Sequence, residues 1–134
     1  MNVLGPRALN RALLARQHLL ARVPSAPLDE VEHLVGMQGQ APLAPYVGLW
    51  SRLTDFDPDE LGAAVEDRRA VRMSLMRSTI HLVTARDAVT LRGWTGRVLA
   101  RAFASNAFAR RLAGIDVAAL AEAGREILED EALT

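Results

Sequence analysis

The chain has 134 residues, room for one compact domain, and half of them are hydrophobic, so it can build a core. It has no cysteine, which excludes disulfides, a thiolate nucleophile and cysteine-type metal sites. No apolar run approaches the roughly 20 residues that cross a bilayer, and the arginine-studded start is read as having no secretory leader. The net charge of zero hides a segregation: residues 1–27 carry four arginines and no acid, 28–67 nine acids against Arg52, 68–111 ten arginines against Asp87, and 112–134 six acids against Arg125.

Residues 7–22 read as a first helix with Pro6 near its start. Leu9, Leu13 and Leu20 share one face and Arg7, Arg11, His18 and Arg22 another, so the leucine seam is expected to be buried. Val23-Pro24-Ser25-Ala26-Pro27 ends that helix. A second is predicted from Asp29, which forms a capping box with Glu32, and Val31, Leu34 and Val35 make its apolar face. Leu34–Pro45 then breaks the pattern: Pro42 and Pro45 push Ala41 and Ala44 out of the α region, and Gly39 can take positive φ. Pro45 opens a third helix with Leu49, Trp50 and Leu53 on its apolar side. One longer helix followed by two short ones across a break is the tri-helical plan of helix-turn-helix proteins.

Asp57-Pro58-Asp59-Glu60 supplies a cap, an N1 proline and first-turn acids for a fourth helix reaching about Arg68. The period then changes. Val71, Met73 and Leu75 alternate with Arg72, Ser74 and Met76; past Arg77-Ser78, Ile80 and Leu82 alternate with His81 and Val83. This predicts a two-stranded antiparallel ribbon, the wing of a winged helix. Thr84 and Asp87 cap a helix to about Phe103, on which Arg86, Thr90, Arg97 and Arg101 share an arc. A short helix over Asn106–Leu112 follows, then one over Val117–Asp130 capped by Asp116, and Thr134 suits a further cap. The expected fold is mainly α: a winged helix, with a helix-turn-helix core and a small β-hairpin wing, plus additional helices. The expected domains are residues 1–115, and residues 116–134 as the start of a second winged-helix unit.

The chemistry centres on Gln38-Gly39-Gln40. In an extended segment, side chains at i and i+2 point the same way, so two carboxamides can converge on one target. Glutamine has no useful pKa and is no strong base, but it can orient a water or read a base edge. The alternative is a pair of turn glutamines bonded to backbone. His18, His33 and His81 have no metal-ligand spacing, helix capping accounts for Asp55, Asp57, Asp59 and Glu60, and no metal or cofactor is expected. Every cation is arginine, a usage that genome composition also explains. The block from 68 to 111 has the charge of a polyanion footprint. Arg68, Arg69, Arg72 and Arg77 cluster at the base and tip of the ribbon, either as a solvated face or as phosphate contacts.

Three runs carry a resemblance: Val35-Gly36-Met37-Gln38-Gly39-Gln40-Ala41-Pro42; Gly48-Leu49-Trp50-Ser51-Arg52-Leu53; and Met76-Arg77-Ser78-Thr79-Ile80-His81-Leu82-Val83 with Asp87. Together they resemble the AlkZ/YcaQ-like winged-helix DNA-binding proteins, bacterial DNA glycosylases built from tandem winged helices that excise alkylated, cationic purines, some from interstrand crosslinks. The resemblance implies catalytic roles for Gln38 and Gln40, in a motif whose middle residue is aliphatic in the family and is Gly39 here. It implies double-stranded DNA, alkylated or crosslinked, as partner, no membrane, a cytoplasmic, nucleoid-associated location, and further winged-helix domains of the same protein. The expected DNA contacts are Arg72, Met76, Arg77, His81, Arg86, Arg97 and Arg101, with Met76 and Arg77 as a wedge at the hairpin tip. A non-catalytic winged-helix DNA binder, such as a regulator, is the alternative.

Overall fold

The computed structural model describes residues 4–130 and divides the chain into two compact units, one running to Arg97 and one from Val98. The first unit contains α1 (Pro6–Arg16), α2 (Pro27–His33), β1 (Met37–Gln38), α3 (Ala44–Trp50), α4 (Pro58–Glu66), β2 (Ala70–Ser74), β3 (Ile80–Thr84) and most of α5 (Ala85–Ala104). The fold is mainly α with one small antiparallel sheet in the order β1-β3-β2.

β2 and β3 are the expected ribbon, with Ala70 opposite Thr84 and Ser74 opposite Ile80. β1 is an addition: Met37 pairs with Leu82 and Gln38 with His81. Two residues carry no readable alternation, so only pairing to a distant segment makes them a strand. Helix, strand, two helices and a hairpin, with the first strand beside the last, is the winged-helix order. It shifts the tri-helical core by one element. The three helices are α2, α3 and α4, and α1 precedes them. The helix-turn-helix pair is therefore α3–α4, where the sequence reading placed it one helix earlier.

The core of this unit is a cluster of Val31, Met37, Leu49, Leu53, Leu61, Ala64, Ala70 and Leu82, with Val23, Leu28, Leu34, Tyr46 and Phe56 packed against it. It draws on α2, β1, α3, α4 and the sheet. Each fully buried leucine contributes about 1.5–3 kcal/mol. α4 starts as its sequence dictates, with the Asp57 side chain accepting from Asp59 N at 2.9 Å and Pro58 in the first turn. α2 does not. It begins at Pro27 behind Ala26, and no side chain caps it. With Pro27 at N1, Asp29 falls inside the first turn, and the cap position is held by Ala26, which has no side-chain acceptor.

The expected burial of Leu9, Leu13 and Leu20 is not realised. They are 50%, 56% and 43% exposed, and α1 buries no residue. The helix also stops at Arg16 rather than Arg22. His18 N donates to Ala15 O at 3.1 Å and Leu19 N to Leu14 O at 2.9 Å, with His18 at φ 52°. This is the doubly bonded left-handed helix stop usually built on glycine. Leu20 is therefore off the helix, and the seam that included it does not exist.

The second unit holds the end of α5, α6 (Ala107–Arg111) and α7 (Val117–Asp130). Asp116, the predicted cap of α7, accepts through Oδ1 from Ala118 N and Ala119 N at 2.9 and 3.1 Å, and Asn106 Oδ1 caps α6 by accepting from Ala109 N at 3.0 Å. Thr134, a candidate cap, lies outside the described residues. No helix among the described residues is long and apolar enough to cross a membrane.

Candidate active site and nucleic-acid interface

The glutamine segment is set by what precedes it. α2 ends with Val35 at φ 60°, where Val35 N donates to Glu32 O and Gly36 N to Val31 O, each at 2.9 Å. Gly36 follows at φ 114°, and a Cβ there would lie 2.6 Å from Val83 Cγ1 and 3.2 Å from Leu82 O. Only glycine lets the chain turn that closely onto β3. β1 then leaves in register with Leu82 and His81.

Three hydrogen bonds fix the next peptide units. Gly39 N donates to Ile80 O at 2.8 Å, Arg72 Nη2 donates to Gly39 O at 2.6 Å, and Ile80 N donates to Gln40 Oε1 at 3.3 Å. Gly39 is not left-handed, and a Cβ on it would make ordinary contacts of 3.5–3.7 Å with Leu82 N, Pro45 Cγ and Arg72 Nε. The two glutamines thus differ. Gln40 spends its carbonyl oxygen on β3 and keeps its amide N–H groups. Gln38 is exposed and makes no side-chain hydrogen bond among the described residues.

Gln38 lines a cavity of 420 Å³ with Arg16, Gln17, His33, Met37 and Arg52. Behind that cavity lies a polar cluster that sequence spacing does not reveal. Glu30 is 1% exposed. His18 Nδ1 donates to its Oε2 at 2.8 Å, and Arg52 Nε stands 3.9 Å from its Oε1. Arg52 also donates to Gln17 O and Gly48 O, each at 2.8 Å. His33 stacks on His18 with ring centroids 4.2 Å apart, and its Nε2 donates to Arg16 O at 2.7 Å. The arrangement gives the cavity a fixed, cationic wall beside a neutral carboxamide.

The other expected residues separate by place. Met76 and Arg77 form the 3-10 turn between β2 and β3, with Met76 47% exposed and Arg77 and Ser78 at φ 54° and 57°. His81 lies opposite both Gln38 and Met73. It is 5% exposed, and its Nδ1 donates to Thr79 O at 3.0 Å, so it backs the sheet instead of facing solvent. Arg72 is tied to Gly39 O, and Arg86 pairs with the Glu32 carboxylate. Arg97 and Arg101 are exposed on α5.

Helices α2, α3 and α4 with β1 paired beside the β2–β3 hairpin define a class, the winged-helix proteins. Within it the family is shown by residues 31–134, which match the family described as DNA glycosylase AlkZ-like, and the chain belongs to that family. Membership implies DNA as the partner. No curated protein and no solved structure matches the chain.

Proposed function

We propose that this chain carries the catalytic motif of a monofunctional DNA glycosylase that removes alkylated, cationic purines, including those held in crosslinks. The observation that carries the reading is Gln38: a free carboxamide on a walled cavity, in a segment fixed by hydrogen bonds on both sides of Gly39. A purine alkylated on a ring nitrogen leaves with the electron pair of its glycosidic bond and becomes neutral as it goes. Water adds to C1′ and gives up a proton. The enzyme's task is to place that water and stabilise the sugar cation, which needs orientation more than acid catalysis. Gln38 accepts from the water through its oxygen, while Gln40, which is not among the residues lining that cavity, anchors the segment on Ile80 N and offers its free N–H groups to the departing base.

DNA is held by arginine–phosphate contacts, from Arg77, Arg97 and Arg101 foremost. Arg72 and Arg86 are engaged with Gly39 and Glu32 in the free protein, so they reach phosphate only by exchanging those partners. One observation favours a second reading, a non-catalytic DNA binder: Gln40 bonds backbone as a turn glutamine does. Methylated duplex DNA incubated with the intact protein separates the two. Release of free 7-methylguanine or 3-methyladenine, slowed in Gln38→Ala, is the expected result. Binding without release by the wild type favours the binder.

A further inference from the structure

α4 occupies the place where helix-turn-helix proteins carry the helix that enters the major groove. Its outward residues are Asp59, Glu60, Ala63 and Glu66, all exposed, while Leu61 and Ala64 lock the opposite side into the core. From Asp55 to Asp67 the sequence has six acids and no base; from Arg68 to Arg86 it has five arginines and no acid. The charge changes sign at the boundary between the helix and the wing.

We propose that duplex DNA docks on the wing of this winged helix, hairpin tip first, with α4 turned away from the groove. The inference rests on the DNA-binding reading above and specifies its geometry. A duplex carries one phosphate charge per about 1.7 Å of axis, and screening acts over about 8 Å at physiological salt. Carboxylates on a helix inside a groove about 12 Å wide therefore meet the phosphates nearly unscreened. One carboxylate can accept from cytosine N4, but seating a helix also takes cations for the flanking phosphates. α4 has none.

The hairpin has the opposite character. Its tip is closed by Ser78 N to Leu75 O at 3.1 Å, Leu75 N to Thr79 O at 3.0 Å and Thr79 N to Met76 O at 3.2 Å. Arg77 and Ser78 sit consecutively in the left-handed region, which non-glycine residues seldom occupy. This backbone presents one apolar side chain, Met76, beside one cation, Arg77, with Arg68 exposed at the base of β2 next to Arg69, which pairs with Asp67. A closed, basic loop with an apolar point suits a groove better than an acidic helix does.

The absence of cysteine makes the test direct. Single substitutions Ser78→Cys and Ala63→Cys are alkylated by a maleimide with and without saturating duplex DNA. The expected result is that DNA slows labelling at position 78 by about tenfold or more and at 63 by less than about twofold, as wing docking leaves α4 in solvent. In parallel, Asp59→Asn, Glu60→Gln and Glu66→Gln are combined, leaving the Asp57 cap intact. Their affinity for duplex should rise by less than about threefold at physiological salt, where distant charges are screened. Protection at position 63 equal to that at 78, or a rise of about tenfold or more in the triple variant, overturns the proposal. If no duplex binds at low salt, the DNA-binding reading falls, and this geometry with it.

Discussion

Val35 holds a β-branched side chain at φ 60°, two residues before Met37-Gln38, and is 50% exposed. Strain there is offset by the helix-stop hydrogen bonds and by the pairing of β1. Val35→Gly should raise stability by about 0.5–1 kcal/mol, because the left-handed penalty of roughly 1–2 kcal/mol is only partly cancelled by added freedom of the unfolded chain. Gly36→Ala should do the reverse, by about 2–3 kcal/mol, since its Cβ would press on Val83 at an unfavourable φ. Denaturant unfolding of both variants checks the pair. At the glutamines, Gln38→Ala and Gln40→Ala should each slow base release by about ten- to a thousandfold with little change in DNA affinity. Only Gln40→Ala should also lower the melting temperature, because it leaves Ile80 N without its partner. Equal melting temperatures for the two variants would contradict this division of roles.

At the scale of elements, α1 and α4 show how a helix end can escape a sequence reading. Both stop in a left-handed residue, His18 and Arg68, and neither is glycine. The end of α1 is tied down by polar contacts from other elements: His18 to Glu30, His33 to Arg16 O and Arg52 to Gln17 O. Glu30 is the hub. Glu30→Ala takes the carboxylate partner from His18 but leaves Arg52 its two carbonyls, and should cost about 1.5–3 kcal/mol, the range for a hydrogen bond to a charged group. Thermal unfolding measures the cost. A change under about 0.5 kcal/mol would show that the cluster adds nothing to stability. Arg72 links β2 to the far edge of the sheet through Gly39 O. It was legible only as one arginine in a basic ribbon, because a side chain reaching across a neighbouring strand leaves no period in the sequence.

For the whole molecule, the alternating charge blocks predict salt-dependent binding without sequence preference. If about four arginines engage phosphate, log affinity should fall against log salt with a slope near −3.6, from about −0.9 per contact. Titration of duplex DNA over a range of salt gives the slope. A flat response would reject backbone binding. Net charge says nothing here, since acids and bases balance over the chain while the hairpin and α4 carry opposite signs.

What the sequence determined by itself was local. The Asp57 and Asp116 caps, the two-residue period of the ribbon and the prolines around the glutamines act over three or four residues, so they could be read directly. They placed α4, α7 and the hairpin, and they singled out Gln38 and Gln40. Tertiary structure decided everything that depends on distant partners. β1 exists because Leu82 and His81 accept it as a neighbour. The helix-turn-helix became α3–α4 because β1 intervenes after α2. The leucines of α1 stayed exposed because Val31, Leu49, Leu53 and Leu61 already close the core. The wall of the Gln38 cavity was assembled from residues as far apart as Arg16 and Arg52. Burial and ion pairing are properties of neighbours in space, and amphipathic spacing on one helix cannot state whether a neighbour will come.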